Sequence, residues 1–229
     1  MCGRKTLTKG KLEIIEQLSI DEWDDSFDYT PSYNIAPTHI VPALIYDNYR
    51  IVKPMVWGLI PSWSRDEKNV SILINARSET LTEKPSFSNL VYKNRCIIIS
   101  DGYYEWKRED NRKQPYYIHK NDKSLMSMAG LWNIWKAPSG KKIYSYTVIT
   151  TEASSDLSYI HNRMPVIIPK KDVNIWLNCD QYNYIDARQL LKPYPDHLDA
   201  YKVSTYVNSV NNNSSKCIEK YSKNDIVLF

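Results

Sequence analysis

The sequence predicts an α+β domain, mostly β, with a few peripheral helices. Short runs rich in β-branched and aromatic residues recur along the chain, and Pro, Asn and Asp punctuate them. Helical spacing of apolar residues is clearest in a single stretch near the N-terminus. At 229 residues, 42% hydrophobic and 24% charged, the chain has the size and composition of one soluble domain with a sizeable core.

The elements follow in order. Thr8 to Leu18 has apolar residues at helical spacing, with Thr8 as the expected N-cap. Asp21 to Asp28 is acidic and reads as a surface loop. Strands are expected at His39–Tyr46, Ile51–Trp57, Cys96–Ser100, Tyr116–His119, Leu125–Leu131, Tyr144–Thr150 and Val166–Ile168. Helical pieces are expected at Ser78–Leu81, Lys170–Leu177 and Asp186–Leu191. Asn208 to Lys216 is polar and loop-like. The domain is expected to span residues 2–218, with 219–229 a short tail. Strand order does not follow from these runs. There are only 6 glycines, and Gly3, Gly58 and Gly102 fall inside the motifs below. A chain that seldom uses glycine needs it there for a positive φ or a close approach.

The formal net charge of +4 is mildly basic. It is compatible with a phosphate-bearing partner and equally with an ordinary lysine excess. No stretch approaches the ~20 apolar residues of a membrane span. The N-terminus lacks the continuous apolar run of a signal peptide, so a cytoplasmic protein is expected. Cys96, Cys179 and Cys217 form no Cys-x-x-Cys pair and have no histidine at metal-ligand spacing. Neither a metal nor an organic cofactor is implied. Cys96, inside RCIIIS, reads as a small buried hydrophobe.

The most reactive feature is Cys2. If Met1 is removed, which the small side chain at position 2 permits, Cys2 carries an α-amine and a thiol on neighbouring carbons. Such a 1,2-aminothiol traps an aldehyde: the amine condenses to an imine, and the sulfur closes on the same carbon to give a thiazolidine. An internal cysteine has its nitrogen tied up as an amide. The α-amine has a reference pKa of ~7.7–8.0, so part of it is neutral and nucleophilic near pH 7. The thiol, at ~8.5, would be lowered by a nearby cation. Arg4 is one candidate.

MCGR (1–4), YNIAPT (33–38), WGLIPSW (57–63), INARSET (74–80), DGYYEW (101–106) and IHNRMPV (160–166) stand out from the scaffold. Together, and in this order, they resemble the SOS response-associated peptidase (SRAP) family of abasic-site-processing proteins, from Cys2 to about Ile218. The resemblance implies an SRAP-like fold. It also implies that Cys2 forms a thiazolidine crosslink with the ring-opened aldehyde of an abasic site in single-stranded DNA, shielding the lesion. By the same resemblance Glu105 is the active-site carboxylate that shuttles protons. His161 acts as an acid or base near neutrality, in sugar-ring opening or in reversal. Asn75 holds the sugar and Arg77 its flanking phosphate. Arg163 resembles a second phosphate contact, and Asn34 and Pro37 a loop close to the N-terminus. Trp63, with Pro37 and Trp106, resembles a wedge beside the lesion, where aromatic faces stack on bases. Some relatives carry two adjacent tryptophans where this chain has Trp63-Ser64, so one stacking platform is missing. Trp57 reads as core. His39, His119 and His197 have no motif around them and read as structural.

Three rival readings remain open. An N-terminal nucleophile amidohydrolase also starts from a processed cysteine, but typically shows an Asn-Gly element that this chain lacks. A cysteine peptidase could use Cys2, His161 and Glu105 as nucleophile, base and orienter; its activity is expected to be limited to removal of Met1. A plain single-stranded DNA-binding module would stack bases without chemistry. A monomer is expected. Abasic-site AP-lyase activity and replication-machinery partners are compatible with the resemblance.

Overall fold

A computed structural model describes residues 2–66, 70–109 and 112–221. Met1 and residues 222–229 of the expected tail lie outside the described residues. The strands are β1 (Arg4–Leu7), β2 (Glu22–Trp23), β3 (Ser32–Ile35), β4 (Ile40–Asp47), β5 (Tyr49–Trp57), β6 (Asn75–Arg77) and β7 (Arg95–Ser100). They continue with β8 (Gly102–Glu109), β9 (Arg112–Lys120), β10 (Met126–Lys136), β11 (Lys142–Glu152), β12 (Arg163–Pro165), β13 (Ile167–Ile168) and β14 (Leu198–Lys202). The helices are α1 (Lys11–Leu18), α2 (Pro85–Ser88), α3 (Leu90–Lys93), α4 (Val173–Leu177) and α5 (Tyr184–Ala187). Every run expected to be a strand is one, within a few residues.

The larger sheet runs β12-β11-β10-β7-β4-β5-β2, and parallel pairing of Ser145 and Tyr146 with Val56 and Trp57 joins β11 back to β5. Strands β11, β10, β7, β4 and β5 thus close into a barrel. Its most buried strand is β7, all of whose residues are buried, as a continuous apolar run between two neighbours requires. Burying Arg95 there has a cost, offset by bonds to the carbonyls of Trp176 (2.6 Å) and Tyr182 (2.6 Å). These contacts tie α4 to the barrel, and the Trp176 indole N–H returns a bond to Cys96 O at 2.9 Å. Cys96 and Trp57 are fully buried, as expected.

The smaller sheet runs β14-β9-β8-β1-β3. The chain passes into it from the barrel through Asp101, which joins β7 to β8. The buried Asp101 carboxylate accepts from the Thr6 hydroxyl and from the Thr8 backbone N–H at 2.5 Å and hydroxyl at 2.6 Å. Thr8 is therefore held by Asp101, and α1 starts three residues later, behind Gly10 and with no side-chain cap. Gly102 is demanded by close approach: a Cβ there would lie 2.3 Å from the Tyr117 hydroxyl. Gly58 has φ +129°, which only glycine adopts readily.

Other expectations need adjusting. The acidic segment after α1 contains β2, which pairs with β5 and buries Trp23, so it is not wholly a loop. The first helical piece is a 3-10 turn over Ser78–Thr80. The second is a 3-10 turn over Lys170–Asp172 leading into α4, and the third begins earlier, as α5, before a turn at Arg188–Leu190. Short 3-10 turns, Thr205–Asn208 and Ser215–Cys217, bracket the loop at 209–214. Beyond the expected boundary at 218, Lys220 bridges Val203 and Tyr221 N donates to Lys202 O at 2.8 Å. No helix among the described residues is long and apolar enough to cross a membrane.

Candidate active site

Strand β1 lies between β8 and β3, with Arg4 opposite Tyr104 and Lys5 opposite Tyr103. Running back from Arg4, the chain carries Cys2 towards Glu105 on β8. Cys2 is fully buried, and its carbonyl accepts from Asn75 Nδ2 at 2.9 Å. The other amide atom, Asn75 Oδ1, is buried without a hydrogen-bond partner among the described residues. Asn75 begins β6, which lies parallel to β11. Strand alternation puts Asn75 and Arg77 on one face and Ala76 in the core. Arg77 is exposed on that face.

Beside Glu105 opens a cleft of about 790 Å³ lined by Arg4, Glu105, Trp106 and His161, with Lys107 and Tyr159 at its side. Glu105 is 5% exposed, and its Oε1 accepts from the Trp106 backbone N–H at 3.2 Å. His161 Nδ1 accepts from the Arg163 backbone N–H at 3.0 Å. An accepting Nδ1 carries no proton, so the ring proton of that tautomer is on Nε2. The Trp106 indole donates to Asn208 Oδ1 at 2.9 Å, which fixes its ring over the Arg4 side of the cleft.

The Cys2 thiol is not activated by a neighbouring cation. Burial, and then the negative charge of Glu105, push its pKa up to about 12, outweighing the opposing pull of Lys5. Arg4 directs Nη1 to Asn34 Oδ1 (2.7 Å) and to Val207 O (2.8 Å). Asn34 lies on β3, not in a loop, and is buried. Its amide donates to the carbonyls of Val207, Ser209 and Asn212, so it braces Arg4 and has no surface to offer a ligand. Arg163 is likewise engaged: its guanidinium forks onto Glu79 at 2.7 and 3.0 Å and donates to Thr150 O at 2.6 Å. That leaves it a brace beneath His161 rather than a free phosphate contact. Pro37 is half-buried, and Trp63 is 55% exposed; neither lines the cleft. His39 accepts from Ala36 N, His119 stacks on Tyr117 and His197 pairs with Asp156, all away from the cleft.

Residue patterns gave no warning of Lys5. It is fully buried, with Nζ donating to Ile99 O at 2.8 Å. Burial pulls its pKa down to about 8 from 10.5, despite Asp101 and Cys2. Between these values the unfolded chain holds a proton that the folded chain has released, so stability rises with pH through the window. Over the whole shift this amounts to about 3 kcal/mol. Cys2 acts oppositely, because its folded pKa lies above the ordinary thiol value of 9.0, so its contribution is lost as pH climbs from 9 to 12. Lys5→Met should abolish the rise between pH 8 and 9 in urea-melt stability. A slope identical to wild type would show that another group titrates there.

Comparison with known proteins bears on this site. The chain matches, over residues 1–210, the family described as SOS response associated peptidase (SRAP). It belongs to that family. Among SRAP relatives, the abasic site processing protein YoqW of Bacillus subtilis (strain 168) is 44% identical over 225 residues, covering 96% of this chain and 100% of that one. The abasic site processing protein HMCES of Xenopus tropicalis is 36% identical, covering 95% of this chain and 78% of that one. The fold is shared with a crystal structure of a protein from Bacteroides thetaiotaomicron: TM-score 0.84, 28% identity, 96% of this chain and 100% of that chain. The expected SRAP-like, mostly β architecture is therefore the observed one.

Proposed function

We propose that this SRAP protein processes abasic sites in single-stranded DNA, capturing the lesion covalently through Cys2 once Met1 is removed. The observation that carries the reading is the placement of Cys2, held through its carbonyl by Asn75 and close enough to Glu105 to feel its charge, while Glu105 and His161 line one cleft. The names of its relatives point to the same lesion.

In this reading the abasic sugar opens to its aldehyde as Glu105 takes the C1′ hydroxyl proton, the C1′–O4′ bond breaks, and Glu105 delivers that proton to the departing ring oxygen, which His161 Nε2–H stabilises by a hydrogen bond. The α-amine of Cys2 adds to C1′, and the carbinolamine takes up a proton from solvent on its hydroxyl and loses one water to give an iminium. The sulfur then bonds to C1′ while its proton passes to Glu105, closing the thiazolidine. A thiol held near 12 is protonated at neutral pH, so amine attack comes first and sulfur closure needs the adjacent base. Asn75 Oδ1, buried and unpartnered, suits a hydroxyl of the opened sugar. A lyase outcome branches from the same iminium: loss of a C2′ proton expels the 3′ phosphate and cuts the strand. The peptidase of the family name is confined here to removal of Met1.

Wild-type protein incubated with abasic single-stranded DNA should give a slow-migrating band on a denaturing gel, and intact DNA should give none. No band with abasic DNA would sink the proposal. Arg77, exposed beside Asn75, is assigned a phosphate. Arg77→Ala should weaken binding and flatten the dependence of log K on log salt by about 0.7, the value for one contact to a single strand. An unchanged slope would remove Arg77 from the DNA path.

A further inference from the structure

The cleft extends past Glu105 and His161 onto the β8–β9 hairpin, where the wall changes character. Arg108 lies directly opposite Lys113 in the strand register, and both line the cleft beside Lys107. Like charges directly opposite each other destabilise a sheet pair. Among the described residues neither has a carboxylate within ion-pair distance; the hairpin's Glu109 pairs with Lys202. Such an arrangement favours a polyanion arriving from outside.

Across from this pair stands Tyr159, 50% exposed and two residues before His161. Ile160 between them is buried and anchors the turn. The Tyr159 ring is held in orientation without being covered: it meets Tyr116 edge-on (6.0 Å, 84°), and Lys107 Nζ lies 5.2 Å from its centroid. An exposed aromatic, oriented by its neighbours and flanked by cations that no carboxylate among the described residues neutralises, matches what single-stranded nucleic acid recognises: a base on a π-face and phosphates on lysine and arginine.

We propose that Tyr159 stacks the nucleobase next to the abasic sugar, while Arg108 and Lys113 take the phosphates leading away from it. This rests on the abasic-DNA reading and adds a second stacking platform, in the cleft that Trp63 does not line. The polar Ser64 beside Trp63 then leaves the protein with an aromatic grip on the strand from this wall.

The test compares abasic single-stranded oligonucleotides carrying either a base or a base-less tetrahydrofuran residue at the 3′ or the 5′ neighbour of the lesion. Wild type should need at least about fivefold less DNA for half-maximal adduct when one of these neighbours carries a base. Tyr159→Leu should bring that ratio close to one, and Tyr159→Phe should keep it. In wild type, 2-aminopurine at the preferred neighbour should lose fluorescence on binding, and Tyr159→Leu should relieve the loss. The double variant Arg108→Ser/Lys113→Ser should keep the base preference and flatten the salt slope by about 1.4, two single-strand contacts. A base preference and quenching that persist in Tyr159→Leu, or a wild type indifferent to both neighbours, would overturn the inference while leaving the crosslinking reading intact. A wild type that forms no adduct with any abasic oligonucleotide would instead bring down the reading beneath it.

Discussion

Cys2→Ala is expected to abolish the denaturant-resistant band entirely while retaining part of the affinity for abasic DNA. Prepared without Met1, by aminopeptidase trimming that a small residue at position 2 permits, the variant still presents an α-amine. That amine can form an imine, which water reverses. Only the sulfur converts the imine into a ring whose opening requires a carbon–sulfur bond to break. Borohydride should therefore restore a band for Cys2→Ala by reducing the imine, and without reductant there should be none. The same imine, no longer diverted into a ring, should show more β-elimination and strand cleavage than wild type. If Cys2→Ala gives the wild-type band without reductant, the sulfur has no part in the bond.

Glu105→Gln should slow adduct formation at saturating DNA by ~10²–10⁴-fold, with half-saturation changed only a few-fold. The amide keeps the shape of the carboxylate, and one oxygen still accepts from Trp106 N, so the strand is undisturbed. What disappears is the group that accepts the proton leaving sulfur. A second readout moves the other way. The Glu105 charge helps hold the Cys2 thiol up at about 12, so its removal makes the thiol more acidic. Burial persists and keeps the pKa above the ordinary range. Iodoacetamide should then alkylate Cys2 faster in Glu105→Gln than in wild type at the same pH, although the adduct forms more slowly. An unchanged adduct rate would reduce Glu105 to scaffold.

Much of the scaffold was legible because its signals are local. RCIIIS reads as a buried strand from six consecutive residues, and it is one, at the centre of the barrel. The residues around Cys2 were legible through motif order and through the chemistry of a processed N-terminal cysteine. What escaped depends on partners distant in sequence. The pattern RKTL gives no reason to bury Lys5; it is buried because β1 lies inside the smaller sheet and Ile99 of β7 supplies a carbonyl. Arg163 and Glu79 meet across 84 positions, so a residue expected to face phosphate proves to be committed to a carboxylate. The resemblance places Asn34 in a loop close to the N-terminus, yet it lies inside a strand, satisfying three carbonyls. The thiol's acidity is hidden from the sequence for a related reason. Sequence shows the cations near Cys2, whereas burial and Glu105 decide the sign.

In the proposed adduct one carbon of the abasic sugar ends bonded to both the nitrogen and the sulfur of Cys2. Mass spectrometry of the N-terminal peptide, after reaction with abasic single-stranded DNA and nuclease trimming, tests it directly. The expected peptide begins at Cys2, without Met1, and carries the sugar remnant with net loss of one water and with neither amine nor thiol left to label. A sugar attached to a lysine, a Cys2 whose thiol still alkylates, or an adduct on a chain that retains Met1 would contradict it.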